Sequence, residues 1–385
     1  MNSKTALTAI LWAASLIATH AQLVIPSDGS DGPLNVAAGE TVVIDLAKAI
    51  TGPWNTNNAA HAGQGVYDPQ KWAVVFKYST VNIQGNVTFA NHPSRAPVVW
   101  LVSGDVNLSG TVSLSGKPGA NGVDALIPAE PGPGGFRGGI IGPLGRGDAH
   151  GPGYAGEYGN PQIVPLIGGS GGEAGVNASG GGGGGAILIA SARRIALDGM
   201  IEANGGAGAF GPDGMNGRVG IAGAIRLIAG EISGAGKLRT FVGDSARIGR
   251  IRLETFVLSP TLDSVPETIA APPANPPIIW PPESAPTVRI LQVDGVDSPS
   301  EPTAPLARTA DVALQNDKPV DILIESTNFP LEGAVELQAV YKFGGQARVW
   351  WRATYVSGDF SKAIWKVTRT FPGGFSFLQA RATLP

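Results

Sequence analysis

The stretch AILIASARRIALDGMIEANGG, residues 186–206, contains an apolar strand, a turn, and alternating residues around one glycine. The pattern recurs three more times, as VVFKYSTVNIQGNVTF (74–89), VVWLVSGDVNLSGTVSLSG (98–116) and AIRLIAGEISGAGKLRTFVG (224–243). Each copy has one aliphatic residue four positions before its glycine and another two positions after it. Repeats of this length are typical of stacked folds, in which each unit packs only on its neighbours.

The strand content of one copy narrows the fold class. The segments AILIASA, RIALDG and MIEANGG are three short strands, each rich in aliphatic residues and ended by small or polar ones. Three strands per copy indicate an all-β protein whose residues 22–258 form a parallel β-helix. An antiparallel sandwich of hairpins is the alternative, although the copies lack regular two-residue hairpin turns.

Proline marks a second boundary. Residues 259–286 read SPTLDSVPETIAAPPANPPIIWPPESAP, which disfavours helices and central strands and predicts a semi-rigid linker. The chain then returns to strand-like alternation, so residues 287–385 are expected to form a small β-sandwich of immunoglobulin-like type. In that part the alternation places Trp365, Val367 and Phe371 in the core.

Glycine is unusually frequent, with 56 residues. It is concentrated between residues 116 and 223 and includes an uninterrupted run at 180–185. Glycine tolerates positive φ and allows close backbone approach, so these residues are predicted to form the corners between strands. The sequence leaves open whether residues 117–178 are ordered.

The first residues predict export. Residues 1–21 combine Lys4, an apolar stretch and small residues near Ala21, as in a cleaved signal peptide. An uncleaved membrane anchor is the alternative, but the apolar stretch is shorter than the roughly 20 residues that span a bilayer. The chain has no cysteine, which fits an exported bacterial protein at the cell surface, in the periplasm or outside the cell.

The glycine run followed by AILIA, the segment GAIRLIAGEI and the closing GRIRLE resemble the glycine-rich β-helical region of exported proteins from environmental bacteria. More loosely, they are similar to the pectate-lyase-like β-helix superfamily. The resemblance covers about residues 34–258 and implies the right-handed parallel β-helix. In the superfamily, aspartates bind calcium and an arginine abstracts a proton.

The catalytic residues of that superfamily do not transfer to this chain. Arg95-Ala96-Pro97 is similar to the start of the lyase arginine segment, but Trp100 stands where its second arginine would be. The histidines His61, His92 and His150 are far apart in the chain, and the aspartates do not recur at matching positions. We therefore predict no catalytic residue, no metal site and no cofactor.

Two residue sets remain as candidate sites. In ARVWWRATYV, alternation places Trp350 on one face between Arg348 and Arg352, which is how a sugar-binding surface stacks a pyranose ring. Trp280 of the linker is a second candidate for carbohydrate contact. The alternative for Trp350 is packing, with arginine stacked on the indole.

The second set is Asp198, Glu202 and Arg226, which could form an unfamiliar hydrolytic site or a solvated polar row.

Three functions follow from these observations. The first is a non-catalytic exported scaffold or surface protein. The second is a carbohydrate-binding adhesin, and the third is a polysaccharide lyase or hydrolase with an unfamiliar site. The expected partners are polysaccharides or cell-envelope components. A net charge of −3 without a basic block argues against nucleic acid.

Overall fold

The computed structural model describes residues 22–140, 158–242, 249–259, 261–298, 311–314, 318–341, 349–371 and 376–385. The predicted signal peptide, residues 1–21, lies outside these ranges. Within them the chain is almost entirely β-structure, with short 3-10 helices at Leu46–Lys48, Ala59–His61, Gly122–Leu126 and Pro212–Gly214. None of these helices has the length and hydrophobicity needed to cross a membrane.

The strands fall into two groups along the chain. Those of the first group are β1 (Gly32–Val36), β2 (Thr41–Asp45), β3 (Ile50–Thr51), β4 (Val66–Asp68), β5 (Ala73–Ile83), β6 (Asn86–Ala90), β7 (Val98–Val102), β8 (Val106–Leu108), β9 (Thr111–Ser113), β10 (Ala186–Ser191), β11 (Arg194–Leu197), β12 (Met200–Glu202), β13 (Ala224–Ile228), β14 (Glu231–Ser233), β15 (Lys237–Arg239), β16 (Arg250–Glu254), β17 (Val257–Leu258), β18 (Asp263–Val265) and β19 (Ile269–Ala271). Those of the second are β20 (Thr287–Val293), β21 (Val296–Asp297), β22 (Val320–Thr327), β23 (Ala334–Tyr341), β24 (Trp350–Arg352), β25 (Thr354–Gly358), β26 (Lys362–Arg369) and β27 (Ser376–Thr383).

The first group forms two sheets. A 13-stranded sheet, parallel except where β4 meets β5, curls into a half-barrel with the order β17-β14-β11-β8-β5-β7-β10-β13-β16-β19 along its main path. A six-stranded parallel sheet has the order β18-β15-β12-β9-β6-β2. The largest hydrophobic core lies between these two sheets and contains side chains from both.

The repeat copies pair in the predicted parallel register. The aliphatic residue before each motif glycine aligns with its equivalents: Val81 with Val106, Val106 with Ile195, and Ile195 with Ile232. The motif glycines follow the same order, and a Cβ on Gly110 would lie 1.8 Å from the carbonyl oxygen of Gly85. Glycine is therefore required here by close backbone approach between neighbouring copies.

The predicted right-handed parallel β-helix is wrong. In a β-helix the first and second strands of the copies would form separate sheets. Here the first strands (β7, β10, β13 and β16) and the second strands (β8, β11, β14 and β17) belong to one sheet, joined through the long strand β5, and this sheet curls only into a half-barrel. The connections that would return regularly from one copy to the next instead differ greatly in length: they span residues 91–97, 114–185 and 203–223. The two long connections are rich in glycine, and their described residues contribute no strand to either sheet.

The described residues of the glycine-rich connections form a hydrogen-bonded structure of their own. The run 180–185 donates its backbone N–H groups with a period of three residues. All six acceptors are backbone carbonyl oxygens, at 2.8–3.0 Å. Gly180 donates to Gly139 and Gly183 to Phe136; Gly181 donates to Arg218 and Gly184 to Ile221; Gly182 donates to Lys117 and Gly185 to Leu114. None of the six glycines has a positive φ. Three residues per turn is the geometry of the polyproline II helix.

This run is enclosed on all sides by backbone. A Cβ built on any of its six glycines would lie 1.9–2.7 Å from a backbone atom of segments 130–133, 169–172 or 203–223. With the acceptor segments 114–117, 136–139 and 218–221, these neighbours surround the run. We call the run 180–185 and the segments around it the glycine array. The prediction that these glycines are corners between strands missed this arrangement.

The predicted linker also packs on the first group of strands. Residues 263–265 and 269–271 add edge strands β18 and β19, which pair with β15 and β16. Ile279 is buried in a cluster on the outer side of the large sheet. Because proline is tolerated at sheet edges, a proline-rich segment can still supply such strands.

The second group forms antiparallel sheets of five strands (β21-β20-β22-β26-β25) and three strands (β24-β23-β27). Their side chains share one core. As predicted, Trp365 and Val367 are buried there, and Phe371 packs against the same core. The immunoglobulin-like assignment stays a prediction.

An ionic network attaches the N-terminal segment to β5. Lys77 on β5 is 2% exposed, and its ammonium group lies 3.1 Å from the Asp28 carboxylate and also contacts the carbonyl oxygen of Thr56. Burial raises the pKa of Asp28, but hydrogen bonds from Ser30 and Lys77 outweigh it and lower that pKa to about 2. The carboxylate therefore stabilises the folded protein when it is ionised.

This network predicts a pH-dependent contribution to stability. Because the folded-state pKa of Asp28 lies below its ordinary value of 3.8, its contribution is fully present above pH 3.8 and is lost as the pH falls through about 2. We expect the difference in free energy of unfolding between wild type and Asp28→Asn to be constant above about pH 5 and to shrink towards pH 2. Urea titrations at several pH values measure it, and a difference that grows on acidification would contradict the assignment.

Candidate functional site

A groove lies where the six-stranded sheet meets the glycine array. It has a volume of about 410 Å³ and is lined by residues 88–93, 95, 113–115, 117 and 130–133. Strand β6 and the connection after it form one wall, the end of β9 continues into the second, and segment 130–133 of the array forms the third. The array thus holds two of the three walls in place.

An arginine-glutamate cluster forms one side of this groove. Arg95 donates from Nε and Nη2 to the two carboxylate oxygens of Glu130, both at 3.1 Å. Arg137 donates from Nε to the same carboxylate at 2.8 Å. Burial raises the pKa of Glu130, but the hydrogen bonds from the two arginines outweigh it, so the pKa lies below its ordinary value. Glu130 is therefore ionised and shared between two cations.

The backbone at Arg95 is strained. Its φ is +55°, a left-handed conformation that is uncommon for a residue other than glycine. The conformation is held by the backbone bond from the Arg95 N–H to the His92 carbonyl at 2.8 Å and by the bond from Gly134 N–H to the Arg95 carbonyl at 2.6 Å. Arg95 is therefore a fixed part of the groove wall.

His92 lines the groove as a neutral imidazole. Its Nδ1 accepts the backbone N–H of Ser94 at 3.1 Å and lies 2.8 Å from the Ser94 hydroxyl oxygen, and with Nδ1 as the acceptor the ring proton is assigned to Nε2. Burial lowers its pKa, and the ring stacks on Tyr67 with 4.0 Å between centroids. No described residue forms a hydrogen bond with Nε2, so this N–H is a donor for other groups.

Two further groups of the groove lack partners among the described residues. Lys117 is exposed, and its ammonium group forms no hydrogen bond or ion pair within the described ranges. Its backbone is fixed by bonds to Glu130 and Gly182 at 2.8 and 2.9 Å. Asn91 donates from Nδ2 to the Pro131 carbonyl at 2.8 Å, whereas its Oδ1 is buried without a hydrogen-bond partner. An unpaired buried acceptor costs free energy.

The row of Asp198, Glu202 and Arg226 does not assemble into one site. Asp198 accepts the backbone N–H of Ala235, and Glu202 accepts the Ser113 hydroxyl at 2.7 Å on the outer face of the six-stranded sheet. Arg226 lies on the other sheet, is 2% exposed, and donates from Nε and Nη2 to Glu254 at 2.9 and 2.8 Å. Each residue serves a different local partner.

The carbohydrate candidates of the second strand group are partly covered. Trp350 is half-buried on β24, and the guanidinium carbon of Arg381 lies 4.1 Å from its ring centroid. Arg352 is exposed and donates to the Gly333 carbonyl at 3.3 Å. Arg348 lies outside the described residues. The contact with Arg381 is the packing alternative for Trp350, and carbohydrate contact there stays a prediction.

Trp280 is in a different environment. It is half-buried and packs against Trp54 with 5.7 Å between ring centroids, beside the cluster on the outer side of the large sheet. Its Nε1 is buried without a partner. Trp280 therefore packs against the cluster on the large sheet, whereas Trp350 lies on β24 of the second strand group.

Within the described ranges, no group of three or more histidine, aspartate or glutamate side chains is placed to hold a metal ion. Comparisons of the chain with protein-family models, with curated proteins and with solved structures return no match.

Sequence reasoning missed most of the groove. Arg95 and His92 were considered singly, and Asn91, Lys117 and Glu130 were not considered. The five residues come from two separate connections, 91–97 and 114–185, and none forms a motif with its neighbours in sequence. The only local signal was Arg95 itself, within the segment similar to that of the lyases.

Proposed function

We propose that this protein is an exported, non-catalytic scaffold of the cell surface or extracellular space. The observation that supports this most directly is the glycine array, in which six consecutive glycines are hydrogen-bonded and enclosed by backbone on all sides. Such an array depends on backbone contacts alone and leaves the outward side chains free to vary. This suits a rigid body that presents surfaces to other molecules.

The parallel sheets support the same role. The repeat copies are joined through buried aliphatic rows, and the chain between the two strand groups is packed on the large sheet through Ile279. Both features favour a stiff body, since β7, β10, β13 and β16 pair in continuous parallel register.

The scaffold proposal is tested in the organism that produces the protein. We expect a deletion to be complemented by wild type and by Asp198→Asn, and the protein to be recovered from the cell envelope or medium. Gly183→Ala, which disturbs the array, should fail to complement. Purified protein should release no products from uronic-acid polymers, as measured by chromatography.

If the purified protein cleaved uronic-acid polymers and Asp198→Asn abolished this cleavage, the protein would be a polysaccharide-cleaving enzyme and the scaffold proposal would be wrong. Recovery of the protein from the cytoplasm alone would exclude the exported role.

A further inference from the structure

The groove beside the glycine array carries more positive charge than its own carboxylate balances. Of the charged residues that line the groove, Arg95 and Lys117 are cations and Glu130 is the carboxylate, which accepts from Arg95 and also from Arg137 outside the lining. Lys117 is the cation with no described partner. An unbalanced ammonium group on the wall of a groove favours an anionic ligand.

The neutral groups of the groove favour hydroxyls. His92 offers an Nε2–H donor, and Asn91 has a buried Oδ1 acceptor without a donor. Ser113 and Ser115 also line the groove, and Ser115 accepts the backbone N–H of Asn204 at 3.3 Å while its own hydroxyl proton remains to be donated. Paired donors and acceptors of this kind match the hydroxyls of a sugar, each of which both donates and accepts.

Size and apolar contact agree with such a ligand. The groove volume of about 410 Å³ falls within the roughly 300–1,000 Å³ of small-molecule sites. The half-buried ring of Phe89 supplies apolar surface for the C–H face of a saccharide.

We propose that this groove binds a short saccharide that bears a carboxylate, and that Lys117 pairs with that carboxylate. The proposal rests on the groove alone and does not depend on the scaffold role. It also differs from the carbohydrate contact predicted at Trp350, which lies in the second strand group.

The test uses two ligands that differ only in their carboxylates. A β-1,4-linked trimer of glucuronate and the matching glucose trimer, cellotriose, are titrated into the mature protein by calorimetry. We expect the acidic trimer to bind about ten-fold more tightly than cellotriose at low ionic strength, and this preference to weaken as salt is added. Sodium sulfate is titrated separately as a simple anion.

Lys117→Gln should reduce affinity for the acidic trimer about ten-fold and leave affinity for cellotriose unchanged. The matched control is Lys237→Gln, which removes an exposed lysine from β15 of the same sheet and should change neither affinity. Because both lysines are exposed, we expect both variants to retain the wild-type melting temperature.

Three results would overturn the proposal: binding of neither trimer, equal affinity for both, or equal losses in the two lysine variants. If sulfate bound as tightly as the acidic trimer, the groove would be a site for simple anions and the saccharide proposal would be wrong.

Discussion

Gly183→Ala should lower the free energy of unfolding by more than about 4 kcal/mol, at the extreme of single substitutions. A Cβ at this position would lie 1.9 Å from the carbonyl oxygen of Gly169 and 2.6 Å from its carbonyl carbon. Both are backbone atoms, which cannot move aside as a flexible side chain can. Gly183 also donates to Phe136 at 2.9 Å, so a shift that relieves the clash would break hydrogen bonds of the array. Urea denaturation of the purified mature protein measures the loss.

Gly52→Ala is the matched control for this prediction. The nearest atom to a Cβ there is the Thr56 hydroxyl oxygen, at 4.0 Å, and its φ is not positive. Replacing a glycine with alanine where the backbone permits it stabilises by about 0.4–1 kcal/mol, because the unfolded chain loses freedom. We therefore expect Gly52→Ala to be neutral or slightly stabilising. Equal losses in the two variants would mean that the array is not tightly packed around Gly183.

The strands of the first group were predictable because their side chains carry the signal. Each copy alternates apolar and polar residues, and the aliphatic residues flanking the motif glycine are buried in register across the copies. The array left no such signal, since six glycines have no side chains from which a period can be read. Its threefold period exists only in the hydrogen bonds, and its partners lie up to about 70 residues away in the chain.

The β-helix prediction failed for a related reason. The register between copies fixes which strands are neighbours, but the closure of a tube depends on the connections. Here the described residues of the connection 114–185 leave the sheets and contribute the run 180–185 and the array segments 114–117, 130–133, 136–139 and 169–172, before β10 pairs with β7. Parallel register therefore follows from the pattern of the copies, whereas the overall curvature does not.

Alternation also failed locally in the second strand group. The stretch around Trp350 was treated as one strand with two faces, but it divides at Ala353 into β24 and β25, which belong to different sheets. Ala353 is buried in the shared core, and its N–H donates to the Val335 carbonyl at 2.8 Å. Where a strand passes from one sheet to the other, the side of the strand that faces the core changes. A simple period of two therefore cannot assign the exposure of residues on both sides of it.

Trp100→Ala should be the second strongly destabilising substitution, with a loss of about 3–5 kcal/mol. Trp100 on β7 is fully buried between the two sheets, with ring centroids of Tyr78 and Phe89 at 5.8 and 6.2 Å. Truncation would leave a large cavity between the two sheets, where both are held by their neighbours and cannot easily collapse. Thermal and urea unfolding measure the loss.

Trp100→Phe separates the packing of the ring from its polar group. The indole Nε1 is buried without a hydrogen-bond partner, so the free energy of desolvating this N–H is not recovered in the folded protein. Phenylalanine keeps most of the aromatic contact and removes the unpaired donor, and we expect a loss of only about 1 kcal/mol. A loss as large as that of Trp100→Ala would show that the indole N–H is bonded in solution. An interior that tolerates this exchange depends on the volume and shape of the side chain at position 100, and Trp100 then stabilises the protein through packing.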